Sequence, residues 1–185
     1  SNNTAVGMSA LIANTTGAGN SALGKSTMAA NTTGNNNTAV GHGALDANTT
    51  ADNNVAVGLN SLGANTTGTQ NTAVGIQTLL TSTTGAYNTA LGTNALLANT
   101  TASNNVAVGA QSLVANTTGT ENVAVGTGCL DANTTASYNT AVGTYALSTN
   151  ILGSRNTAIG RDALFAVNSA SAADMYNSAV GFGAG

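Results

Sequence analysis

Apolar residues recur along this chain at two alternating intervals. The aliphatic residue of each Ala-[VLI]-Gly step is followed five residues later by Leu, as in Val40 and Leu45, and twelve residues after that by the next step at Val57. The sum is a period of 17, held from Gly7 through Gly24, Gly41, Gly58, Gly75, Gly92, Gly109, Gly126 and Gly143 to Gly160, before one interval of 21 leads to Gly181. Ten units in strict phase imply a period set by geometry, because an unconstrained tandem duplication drifts. Numbered from its first Asn, the unit reads N-[TVS]-A-[VLI]-G-x-x-[small]-L-x-[AT]-N-T-T-[GA]-x-x. The chain therefore reads as a single repeat domain over 1–185, with ten 17-residue coils over 3–172, a four-residue insertion, and a partial terminal coil over 177–185.

A unit of 17 residues is too short for helix-turn-helix repeats, and Val-Gly steps punctuated by Asn-Thr-Thr-Gly favour strands and turns. The expected fold is all-β, a parallel β-solenoid with one coil per unit. Stretches such as TNALLA (93–98) and RDALFA (161–166) leave open a short helical turn in each coil. Coils stacked about 4.8 Å apart make each column of the repeat a ladder of like side chains. In an extended N-T-A-V-G segment, positions 1, 3 and 5 point one way and positions 2 and 4 the other. Both sets are substantially apolar, so the strand expects burial on both faces: one closes the coil and the other asks for a partner chain.

The columns that hold their identity supply the candidate structural residues. Asn at position 1 (Asn20, Asn37, Asn54, Asn71, Asn88, Asn105, Asn122, Asn139 and Asn156) suits an amide ladder, each side chain bonding its neighbours in adjacent coils. Gly at position 5 suits a corner where the backbone turns or closely approaches its neighbour. The candidate core is Val40, Leu45, Val57, Leu62, Val74, Leu79, Leu91, Leu96, Val108, Leu113, Val125, Leu130, Val142 and Leu147. The charges mark the outside. Lys25, His42 and Arg161 stand at position 6, Asp162 at 7, Asp46 and Asp131 at 10, Asp52 at 16, and Glu121 and Arg155 at 17, so these columns form the expected solvent rim.

Composition sharpens this reading. Charged residues are 5% of the chain against about 25% in ordinary domains, and there is no Pro or Trp, which suits a structural or fibrous protein. Disorder is argued against by the 42% apolar content and its even spacing. Three basic residues cannot neutralise a phosphate backbone, which argues against nucleic-acid partners. No apolar run approaches the roughly 20 residues of a membrane-spanning helix, so this segment is not expected to insert into a membrane. Both ends fall inside a repeat, as expected of a processed chain or a segment of a longer array.

The linked positions N-[TVS]-A-[VLI]-G-x-x-[AST] resemble the head repeat of YadA-like trimeric autotransporter adhesins, and the longer form with NTTG resembles arrays in tail-fibre-like bacterial and phage proteins. The resemblance covers essentially the whole chain. It implies a left-handed parallel β-roll, three chains side by side, at the outer end of a cell-surface or virion fibre, with Val40, Val57, Val74 and their equivalents packed between chains or within the roll. The family's head repeat is shorter, without the NTTG segment, and this chain carries no coiled-coil stalk, neck or anchor. The expected role is a non-catalytic structural or adhesive extracellular fibre, self-associated, with surface glycans or matrix as conceivable ligands.

Other chemistry finds little support. His42 and Cys129 lie five coils apart, about 24 Å, too far for a nucleophilic pair. Asp46 and Asp131 share a column but are equally distant, so no carboxylate pair forms. No ligand cluster or calcium-binding repeat points to a metal, and no cofactor is expected. Asn14, Asn31, Asn48, Asn65, Asn99, Asn116 and Asn133 each begin an Asn-x-Thr sequon, readable as a turn or as a glycosylation site. Thr ladders also raise ice or crystalline-surface binding, although adjacent threonines of an extended NTT point to opposite sides.

Overall fold

The computed structural model describes residues 2–167 and 172–185. Its strands are β1 (Thr4–Val6), β2 (Ser21–Leu23), β3 (Thr38–Val40), β4 (Val55–Val57), β5 (Thr72–Val74), β6 (Thr89–Leu91), β7 (Val106–Val108), β8 (Val123–Val125), β9 (Thr140–Val142), β10 (Gly153–Ser154), β11 (Thr157–Ile159), β12 (Ala173–Asp174) and β13 (Ser178–Val180). Eleven of them pair in parallel in the order β1 to β9, then β11 and β13, and β10 pairs separately with β12. The register follows the repeat, Ala39 opposite Ala56 and Ala56 opposite Ala73. The fold is a parallel β-solenoid of about ten turns.

Each strand of the main sheet covers positions 2–4, where mostly β-branched residues flank an Ala. Position 5 ends it. Gly41 has φ 131°, and a Cβ there would stand 2.7 Å from the carbonyl carbon of Gly58 in the next coil, so only glycine fits. Positions 6–11 then form a turn, and among the described residues there is no helix. In TNALLA, Asn94 and Leu96 have φ values of 59° and 51°, left-handed conformations that an α-helix cannot contain. The turns nonetheless bond from coil to coil: Leu45 N donates to Ser61 O at 3.0 Å and Ala47 N to Gly63 O at 3.1 Å. Sheet and turn segments thus share one axial ladder.

The left-handed residues fall in three columns, positions 7, 9 and 17, and none of the non-glycine residues there is Val, Ile or Thr. Branching at Cβ makes this backbone region especially costly. This is why the innermost apolar column is Leu or Met and never Val, although Val is common five residues earlier, at position 4. The chain concentrates its β-branched residues at positions 2, 4, 13 and 14, with others such as Ile76, Thr78 and Val114 at positions 6, 8 and 10.

The interior is narrow. Leu45, Leu62, Leu79, Leu96, Leu113, Leu130 and Leu147 are fully buried, and the position 3 alanines from Ala22 to Ala158 and the small residues of position 8 from Thr27 to Ala163 are buried with them. The position 4 residues are not in it. Val40, Val57, Val74, Val108 and Val125 are half-exposed, and Leu91 and Val142 are 47% and 36% exposed, which corrects their assignment to the core. Strand alternation sends Ala inward at position 3 and therefore positions 2 and 4 outward.

At the C-terminal end the 21-residue interval leaves the main sheet in register, Thr157 pairing with Ser178 and Ile159 with Val180. At the end of the tenth coil, residues 168–171 lie outside the described residues. The insertion that follows carries β12, and Asp174 there accepts from Arg155 Nε at 2.9 Å. The Arg155 guanidinium sits 4.7 Å from the ring of Tyr138 and 5.9 Å from that of Tyr176, joining three successive coils at one corner.

Candidate functional site

Two asparagine ladders run through the interior. At position 1 the amide oxygen of Asn20 accepts from the backbone N of Asn37 at 2.9 Å, and that of Asn37 accepts from Asn54 N at 2.9 Å. The side-chain nitrogen of Asn37 turns to the carbonyl of Ala51 at 2.8 Å, closing its own coil. The expected ladder is therefore present, but its rungs are mainly side chain to backbone rather than amide to amide.

The second ladder is at position 12, inside the NTT segment. Asn48 Nδ2 donates to Asn31 Oδ1 at 2.7 Å and to Ala51 O at 3.2 Å, so the carbonyl at position 15 receives one amide from each ladder. Asn31, Asn48, Asn65, Asn99, Asn116 and Asn133 are fully buried, and Asn14 in the first coil is partly buried. A folded coil thus offers no free amide nitrogen at the six buried sequons. Their role in the structure is to tie the turn to the coil above and below, the turn reading in a stronger form. The signal was in the sequence, since position 12 is nearly as constant as position 1. Ser82 interrupts the ladder, and there both its own hydroxyl and the Asn65 Oδ1 lack a partner.

The remaining polar candidates stay separate. Cys129 is buried at position 8 with its Sγ donating to Ala141 O at 3.2 Å, and burial pushes its thiol up to about 12. His42 is exposed on the rim. Among the described residues no three His, Cys, Asp or Glu side chains come together. No helix among them is long and apolar enough to cross a membrane.

What the coils do assemble is surface. Positions 2 and 4 of all eleven strands of the main sheet form one flat outward face, with Thr, Val or Ser in the first column and Val, Leu or Ile in the second. Neither column contains a charge. Searches of family models, curated proteins and solved structures give no match to this chain. Its function has to be read from these surfaces.

Around the next corner, the NTT segment treats its two threonines differently. The position 13 hydroxyls bond along the axis, Thr32 Oγ1 to Thr49 O at 3.0 Å and Thr49 Oγ1 to Thr66 O at 3.1 Å. Position 14 points out: Thr16, Thr33, Thr50, Thr67, Thr84, Thr101, Thr118 and Thr135 are all exposed. The two faces differ in chemistry: the main-sheet face pairs an aliphatic column with a mixed Thr, Ser and Val column, whereas the position 14 column is threonine through eight coils.

Proposed function

We propose that this chain is a non-catalytic structural segment of an extracellular fibre that associates laterally with copies of itself through the outward face of its main sheet. The observation that carries this reading is the exposed, uncharged strip of positions 2 and 4 across eleven strands. Ten intervals of about 4.8 Å give it a length of about 48 Å, and the three residues of each strand give it a width of about 10 Å. The product is about 480 Å² on each partner, the size of a small interface. An uncharged strip of that size, half of it aliphatic, is comparable to the largest patches that monomers expose, and such patches are often functional.

The solenoid suits the role mechanically. Among the described residues the coils are hydrogen-bonded to their neighbours on several sides, which protects backbone against proteases. Three chains side by side, the arrangement of the resembling adhesin heads, would let each copy cover a neighbour's strip around a common axis.

Sedimentation equilibrium on the intact chain tests the proposal. The expected mass is a multiple of 17.8 kDa, threefold being favoured. The double variant Val74→Lys/Val108→Lys, which places charge in the strip without touching the interior, should sediment as a folded monomer. A wild-type chain that remains at 17.8 kDa across the micromolar range would overturn lateral association.

A further inference from the structure

We infer that the position 14 threonine column is a binding surface for an ordered water lattice, that is, for ice. The inference begins from an inconsistency in how the coils vary. Outward positions 6, 7, 10 and 17 change residue freely, whereas position 14 is Thr in the first eight coils and departs only in the last two, at Leu152 and Ser169. Constant columns elsewhere in the coil have an internal reason: Asn at 1 and 12 and Leu at 9 are buried, and Thr at 13 bonds the next coil through its hydroxyl. Position 14 has none. Its side chains are exposed, and among the described residues their hydroxyls make no hydrogen bond.

Strand propensity alone does not explain the column. Position 2 is also outward and holds β-branched residues, but there Thr exchanges with Val at Val55, Val106 and Val123 and with Ser at Ser21 and Ser178. A site asking only for β-branching would accept Val; position 14 keeps the hydroxyl together with the methyl. An exposed, unbonded hydroxyl held through eight coils, where neighbouring surface columns drift, points to a contact outside the chain.

Geometry then narrows the partner. The eight hydroxyls are spaced about 4.8 Å apart over about 34 Å on a backbone bonded coil to coil. A Thr hydroxyl both donates and accepts, and its χ1 is stiff, so the array is already ordered before contact. Each contact is weak singly, and the alignment of eight makes them act together. Such a row matches a surface that is itself periodic, uncharged and made of groups that both donate and accept. The small residues of position 16 beside it add one charge in this stretch, Asp52, whose carboxylate is turned along the axis to accept from Asn35 N. A polysaccharide surface would call for aromatic platforms, and none recurs along this strip. The inference is independent of lateral association, which uses the other face.

Ice-affinity partitioning and thermal hysteresis of the intact chain test it, with circular dichroism melts to verify folding. The wild type is expected to enter the ice fraction and to show a hysteresis gap. Thr84→Lys/Thr101→Lys should abolish both, Thr84→Val/Thr101→Val should reduce them with no change in the melt, and Val74→Lys/Val108→Lys should retain them while losing self-association. Exclusion of the wild type from ice would overturn the inference. So would retention of activity by both threonine variants, or its loss only in the position 4 variant, which would move the site to the other face. If the lysine variant fails to fold, the valine variant decides.

Discussion

Leu91 and Leu96 stand five residues apart in one coil and meet opposite fates: Leu91 is 47% exposed and Leu96 is fully buried. Their hydrophobicity is identical, so it is not what separates them. Leu91 ends β6, where extended backbone must point it away from the interior that Ala90 faces. Leu96 lies beyond Gly92, with Asn94 and Leu96 itself at φ values near 60° and 50°, and that pair of left-handed residues turns the chain so that Leu96 points inward. The contrast teaches that in a coil this small the sign of φ at a few positions decides which apolar residue becomes core. It also leaves an aliphatic column outside.

Removing the side chains is the bluntest way to break the comparison. Leu96→Ala should cost about 3 kcal/mol by opening a cavity between two neighbouring leucines, whereas Leu91→Ala should cost well under about 1 kcal/mol in the isolated chain. Urea denaturation of monomeric protein, followed by circular dichroism, reads both, and equal losses would contradict the assignment of inside and outside.

A finer test separates backbone from hydrophobicity. Leu96→Ile keeps the volume but places a branched Cβ in a left-handed residue, and should cost about 2 kcal/mol. Leu91→Ile should stay within about 0.5 kcal/mol, since Ile159 already occupies that column. A neutral Leu96→Ile would show that the left-handed turn relaxes easily.

A smaller effect is expected where the position 12 ladder is interrupted. Ser82→Asn should restore the rung between Asn65 and Asn99 and raise stability by about 1 kcal/mol, by giving Asn65 Oδ1 the donor it lacks. A destabilised variant would mean that the coil is shaped around the shorter side chain.

The smallest effect concerns pH. The Cys129 thiol titrates near 12 in the folded chain, above its value when unfolded, so the unfolded state releases this proton first. Its contribution is full below about pH 8 and is lost as pH rises toward the folded value. Cys129→Ala, which installs the residue that Ala44 and Ala95 place in the same column, should lack that component of the alkaline fall. Folded wild type should also resist thiol-labelling reagents, and rapid labelling would contradict the burial.

Much of this architecture was legible in the residues. The 17-residue period, the parallel stacking, the position 1 asparagines, the corner glycines and the charged rim follow from identity and spacing alone. Period-2 alternation was legible as well, because it separated Ala39 from Val40 before any coil was built. What it left open was which face would be interior, and both were assigned apolar contacts. The position 12 asparagines were read through the familiar sequon and turn, which look identical in sequence to a buried ladder. One trace of the left-handed columns was present throughout, in the exclusion of Val, Ile and Thr from positions 7, 9 and 17.

The sequence by itself determined that this chain winds into a β-solenoid, because a phase kept through ten units leaves only stacked coils to satisfy the backbone and bury regularly spaced apolar side chains. Only the tertiary structure decided that Leu goes in and Val goes out, that Asn48 is core, and that of two adjacent threonines one bonds the next coil while the other faces water. Those outcomes depend on where successive coils place their carbonyls, and a carbonyl's position is a property of the stacked backbone, not of any single unit.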